Sequence, residues 1–155
     1  QGSRPILCDL QALASRSFYT VPKRTVGGMD SGRVALLLAV MEKRAGKKLF
    51  DQDVYINVAG GLALSDPAAD LAVCVAVASS LMGFTLSPTL SVMGEVGLCG
   101  EVRPVAQAER RVAECVRLGF TDILLPRQNL KRLRPIDGVR MTGVDTLMQA
   151  LAVVG

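Results

Sequence analysis

Apolar positions along this chain switch between a period of two and a period near 3.6, and glycine, proline and short polar runs mark the switches. Over residues 5–14, Ile6, Cys8 and Leu10 alternate with Leu7, Asp9 and Gln11, which predicts a strand. Residues 15–28 carry no such period and are polar and basic. A loop is expected there, entering a second strand around 23–26. Asp30 or Ser31 is placed to cap the next helix. Its stripe, Val34, Leu37, Leu38 and Met41, repeats at helical spacing, and Gly46 ends it. Val54, Ile56 and Val58 put a strand over 53–59, broken at Gly60-Gly61, with an extended segment over 62–64.

Pro67 then sits in the first turn of a helix capped by Asp66. To residue 82 this helix is apolar on nearly every side, the pattern of a centrally buried element, and Gly83 closes it. Residues 91–105 form two strand-like runs around Gly97-Leu98-Cys99-Gly100, read as a hairpin. A helix over 107–118 turns Ala108, Val112, Cys115 and Val116 inward and Glu109, Arg110, Arg111, Glu114 and Arg117 outward. A buried strand over 122–125, a short basic helix over 128–133 and a strand over 139–144 follow. Asp145 is expected to cap a last helix running to 152. Irregular alternation with a central hairpin implies a single α+β domain over 1–155, a mixed sheet with packed helices.

Half of the 155 residues are hydrophobic, enough for a core without disulfides. Four Phe, two Tyr and no Trp make that core aliphatic. These six aromatics, mostly flanked by apolar residues, are expected to be a poor base-stacking platform. The absence of His excludes Ser-His-Asp and Cys-His catalysis within this chain, and His-ligated zinc with it. Cys8, Cys74, Cys99 and Cys115 form no C-x-x-C pair and suit neither a metal site nor a disulfide framework. A reducing, cytoplasmic setting is expected. No secretory signal is visible, and the apolar run around 71–77 is shorter than the ~20 residues a membrane helix needs. The abrupt start, Gln1-Gly2-Ser3-Arg4-Pro5 entering a strand, reads as a piece of a longer protein. The net charge of +4 comes from thirteen Arg and five Lys against fourteen acidic residues, which permits a nucleic-acid partner.

Two stretches bear on chemistry. Gly27-Gly28-Met29-Asp30-Ser31-Gly32-Arg33-Val34 nearly matches a nucleotide phosphate loop. Arg33 replaces the phosphate-reaching Lys and Val34 the magnesium-binding hydroxyl, so no ATP hydrolysis is expected from it. The second stretch is Asp66-Pro67-Ala68-Ala69-Asp70-Leu71-Ala72 followed by Gly94-Glu95-Val96-Gly97-Leu98-Cys99-Gly100-Glu101-Val102-Arg103-Pro104-Val105. This order resembles the protease domain of Lon, in which Pro-Ser-Ala-Gly opens a buried helix and a later helix carries a catalytic Lys. In that family the Lys, its pKa lowered by burial, takes the proton of the Ser nucleophile. Carried over, the nucleophile position is Ala68 and the base position is Glu109. The resemblance therefore implies a domain without Lon-type proteolysis.

The wording resembles the RadA/Sms family of recombination ATPases. Pro22-Lys23-Arg24, Leu36-Leu37-Leu38-Ala39-Val40 with Glu42-Lys43-Arg44, and both stretches above resemble it, over essentially the whole chain. That likeness implies a C-terminal Lon-like domain that scaffolds a hexameric ring and holds single-stranded or branched DNA during branch migration, alongside a recombinase. ATP, Mg and Zn would belong to other parts of the parent, and no cofactor to this chain. DNA contacts would fall on phosphates, with Lys23, Arg24, Arg33 and Arg103 as the candidates. Two alternatives stay open: a diverged peptidase using another nucleophile such as Cys99, and an oligomerisation module without DNA contact.

Overall fold

The computed structural model describes residues 8–60 and 66–155. The expected strand start at 5–7 and the extended segment at 62–64 lie outside the described residues. Strand β1 (Cys8–Arg16) runs antiparallel to β3 (Gln52–Gly60), and β2 (Arg24–Gly27) lies parallel along the other side of β3. The register sets Leu10 opposite Val58, Ala12 opposite Ile56 and Ala14 opposite Val54, so small and branched apolar side chains share one face. Helices α1 (Ser31–Ala45) and α2 (Asp70–Met82) pack on that face and close the main core. Asp30 caps α1 by accepting from the Arg33 N–H, and Gly46 ends it at φ 68°. The helix expected from Pro67 begins instead as a 3-10 turn, Pro67–Ala69, and becomes α-helical at Asp70.

The second sheet is wholly parallel, in the order β4 (Leu90–Val92), β7 (Asp122–Pro126), β8 (Arg140–Val144). Sequence periodicity placed residues 91–92 in the hairpin, but they pair with β7. The hairpin is only β5 (Glu95–Val96) with β6 (Val102–Arg103). A three-residue apolar run carries no information about its partner, and β7 supplies it from some thirty residues away. Both faces of β7 are covered. Leu124 joins the main core, while Ile123 and Leu125 join a second cluster with Met93, Val105, Val112 and Cys115 beneath α3 (Ala108–Arg117). That is why β7 reads as an unbroken apolar run.

Two terminal details differ from expectation. Helix α4 (Arg127–Leu130) stops short of residue 133. The cap of α5 (Leu147–Val154) is Thr146, whose hydroxyl accepts from the Gln149 N–H, and not Asp145. The Asp145 carboxylate is taken by Arg127 at 2.9 Å, which leaves the neighbouring hydroxyl to cap. The whole is α+β with packed helices on a mixed sheet. No helix among the described residues is long and apolar enough to cross a membrane.

Candidate functional site

The 3-10 turn and the first turn of α3 meet through one ion pair. Asp66 caps the 3-10 turn by accepting from the Ala68 N–H at 2.9 Å, and an Arg111 Nη atom approaches its other oxygen to 3.5 Å. Arg111 also donates from Nε to the Ala106 carbonyl at 2.8 Å. It is therefore half-buried and bridging, where sequence placed it on a solvated outer face. Asp66 precedes Ala68 by two residues and Arg111 follows Glu109 by two, so the ion pair joins the two segments that carry the positions implied by the Lon resemblance. Ala68 offers a methyl group and is 6 % exposed, and Glu109 is turned to solvent.

Next to it lies a charge that sequence reasoning passed over. Asp70 occupies the position of the glycine in Pro-Ser-Ala-Gly and is fully buried. Arg33 from α1 donates from Nε to one oxygen at 3.0 Å and from Nη to the other. The backbone N–H of Val96 in β5 donates to that second oxygen at 3.0 Å. A buried carboxylate is costly unless paired and hydrogen-bonded, and here both conditions are met by two different elements. The pair ties α1, α2 and the hairpin together. Burial first, and Asp70 second, push the Cys74 thiol of α2 far above its ordinary range, which makes it an inert core residue. A lone acid in an otherwise apolar helix was the available signal, since such a group needs a cationic partner from elsewhere.

The four basic candidates have different occupations. Lys23 and Arg24 adjoin at the start of β2. The Lys23 backbone N–H donates to the buried Asp53 carboxylate at 2.7 Å, and its ammonium lies 4.4 Å from the centroid of the Tyr19 ring. The Arg24 guanidinium donates to the carbonyls of Gln52 and Leu49, the latter at 2.9 Å. Arg103 is chelated by Glu101 at 3.0 and 2.9 Å, both groups exposed. Arg33 is held by Asp70. Lys23 and Arg24 thus adjoin on β2, while Arg33 pairs with Asp70 of α2 and keeps 29 % of its side chain exposed.

Three of the six aromatics stand more than half exposed. Phe18 is 96 % exposed, Phe50 65 % and Tyr19 55 %. The core is aliphatic enough to have no need of them, and they stand on loops at one end of the first sheet. Cys99 is exposed on the hairpin turn, and its N–H donates to the Glu101 carboxylate at 3.1 Å. The phosphate-loop look-alike has a packing role: Gly28, at φ 83°, lies against β3, and its following helix is capped by Asp30.

The description that fits this arrangement is the Lon protease (S16) C-terminal proteolytic domain, which matches residues 33–151. The chain belongs to that family. It is also similar to proteins named DNA repair protein RadA. Over 99 % of this chain it is 43 % identical to the one from Halalkalibacterium halodurans, and over 97 % it is 44 % identical to the one from Bacillus subtilis. The Streptococcus pneumoniae protein is 42 % identical over 97 % of the chain. These alignments take up 34 %, 33 % and 36 % of the three relatives, so the chain spans about a third of their length. They bear out the RadA-family resemblance drawn from Pro22-Lys23-Arg24 and the stretch 66–72. Ala68 and Asp70 mark where this Lon-family member departs from Pro-Ser-Ala-Gly.

Proposed function

We propose that this chain is a non-catalytic Lon-like domain of a RadA-type DNA-repair protein, scaffolding a hexameric ring and holding DNA by its backbone. Ala68 carries the first half of this reading: the place that would need a nucleophile holds a buried methyl group. The names of the relatives support the second half, as does the basic balance of the chain. In this reading the ATP- and magnesium-dependent motor and the zinc finger lie in other parts of a cytoplasmic protein that works beside a recombinase in branch migration. DNA phosphates are met first by Lys23 and Arg103. Arg24 keeps its internal bonds and contributes its charge from where it stands, and the charge of Arg33 is offset by Asp70.

The test is fluorescence anisotropy with a labelled DNA strand at several salt concentrations, comparing the chain with a Lys23→Ala/Arg103→Ala variant. That variant leaves the Arg33–Asp70 pair and the Arg24 bonds in place. Binding is expected to weaken steeply with salt, and each lost phosphate contact to shallow the log–log slope by about 1. No binding at low salt would leave only the scaffold. A second expectation concerns the dyad. Ala68→Ser is expected to leave hydrolysis of activated esters and unfolded casein at background, because no lysine stands at position 109 to activate the hydroxyl. Turnover above background in that variant would restore the peptidase reading.

A further inference from the structure

The loop after β1 and the turn before β3 expose aromatic rings where a soluble domain ordinarily hides them. The two segments meet through their backbones: the Ser17 N–H donates to the Asp51 carbonyl at 2.8 Å, one residue from Phe18 on one side and from Phe50 on the other. Tyr19 adds a third ring, covered on one side by the Lys23 ammonium. Cations surround them: Arg16 precedes Phe18 by two residues, Lys48 precedes Phe50 by two, and both are exposed. The acids at this end are engaged within the fold. Asp53 is buried and accepts from the Lys23 N–H, Glu42 accepts from the Leu49 N–H at 3.0 Å, and Asp51 accepts from the Gln52 side chain at 3.3 Å.

Exposed rings interleaved with cations that outnumber the nearby carboxylates, Arg16, Lys23, Arg24, Lys47 and Lys48 against Glu42, Asp51 and Asp53, are the composition of a surface for single-stranded nucleic acid, where rings stack on bases and cations meet the backbone. A surface made to bind another copy of this chain would need acidic groups or apolar partners facing it. The cations here argue for a polyanion instead. We propose that Phe18 and Phe50 stack the bases of a single DNA strand whose phosphates are met by Arg16, Lys23 and Lys48. The inference rests on the DNA-holding reading above and narrows it: duplex DNA, with its bases stacked inward, offers these rings nothing.

The chain has no Trp, so Phe18→Trp gives a single fluorophore at the centre of the surface. Oligo(dT) is expected to quench that emission, while a duplex of equal length does not. Phe18→Leu/Phe50→Leu keeps the apolar bulk and removes the rings. It is expected to lower affinity for oligo(dT) on the order of tenfold or more, with duplex affinity and salt slope unchanged. Thermal unfolding of both variants should match the parent, since the substituted side chains pack little. If the strand and duplex bind alike and the leucine variant binds as the parent does, stacking is wrong and backbone holding survives. If neither DNA binds, both readings fall together. If the leucine variant instead changes the assembled mass in light scattering without altering oligo(dT) affinity, the rings belong to a contact between copies and the proposal is overturned.

Discussion

Asp70→Ala is expected to destabilise the fold by about 3–5 kcal/mol, because it strands the Arg33 guanidinium and removes the acceptor of the Val96 N–H. The direction follows from the burial difference between the partners. Asp70 is sealed from water, while the Arg33 side chain retains 29 % exposure and can rehydrate in part. Arg33→Ala, which leaves a bare carboxylate inside, is expected to cost at least as much as Asp70→Ala. Replacing both, as Arg33→Met/Asp70→Leu, is expected to recover most of the loss, since an apolar pair of similar volume has no desolvation cost to offset. The Val96 N–H would then be the remaining defect, at about 1–3 kcal/mol. Urea unfolding followed by far-UV circular dichroism measures all four proteins. A double variant no more stable than either single one would mean that the pair's geometry, and not its charge, holds α1, α2 and the hairpin together.

Gly28→Ala is expected to be the most damaging single-methyl addition in the chain among the described glycines. Two effects add. The residue sits at φ 83°, where a non-glycine residue costs about 1–3 kcal/mol. An added Cβ would also stand 1.9 Å from the Val58 carbonyl oxygen, so β3 itself must shift. Gly83→Ala supplies the comparison. Its φ is 76°, yet nothing lies within 4 Å of the added methyl, so only the same conformational cost of about 1–3 kcal/mol remains. Thermal unfolding of the two variants side by side separates backbone strain from collision. Equal losses would show that β3 yields freely and that the close approach at Gly28 carries no energy.

Both expectations concern the Gly turn and helix start around residues 27–34. The sequence read Gly28 as part of a turn feeding a helix and named Arg33 as a phosphate candidate; the structure adds the close approach of Gly28 to β3 and the pairing of Arg33 with Asp70. Local pattern could not have told these apart. A Gly-rich turn before a helix looks the same whether its glycine approaches a ligand or a neighbouring strand, and an arginine on a helix shows its preference for solvent or for a partner only once the partner's position is known. The dyad differs. The assignment of Ala68 and Glu109 rests on residue type at a position, a hydroxyl or a base being present or not, and so it needs no knowledge of a distant partner.

The chain itself carried the α+β class, the limits of α1 and β3 to within a residue or two, the central burial of α2 and the aliphatic core. Each of these follows from the period of apolar positions and from capping residues, which act over a few neighbours. The likeness to the RadA and Lon families was also legible, because it rests on residue order alone. Only the tertiary structure decided that β4 leaves the hairpin for β7, that Thr146 and not Asp145 caps α5, and that Arg111 bridges to Asp66. It also decided that Asp70 finds Arg33, and that Phe18 and Phe50 come to the surface together. These are choices among partners distant in sequence. Burial sets their energies: a buried charge must find a cation, whereas an exposed ring costs little when the core is already aliphatic.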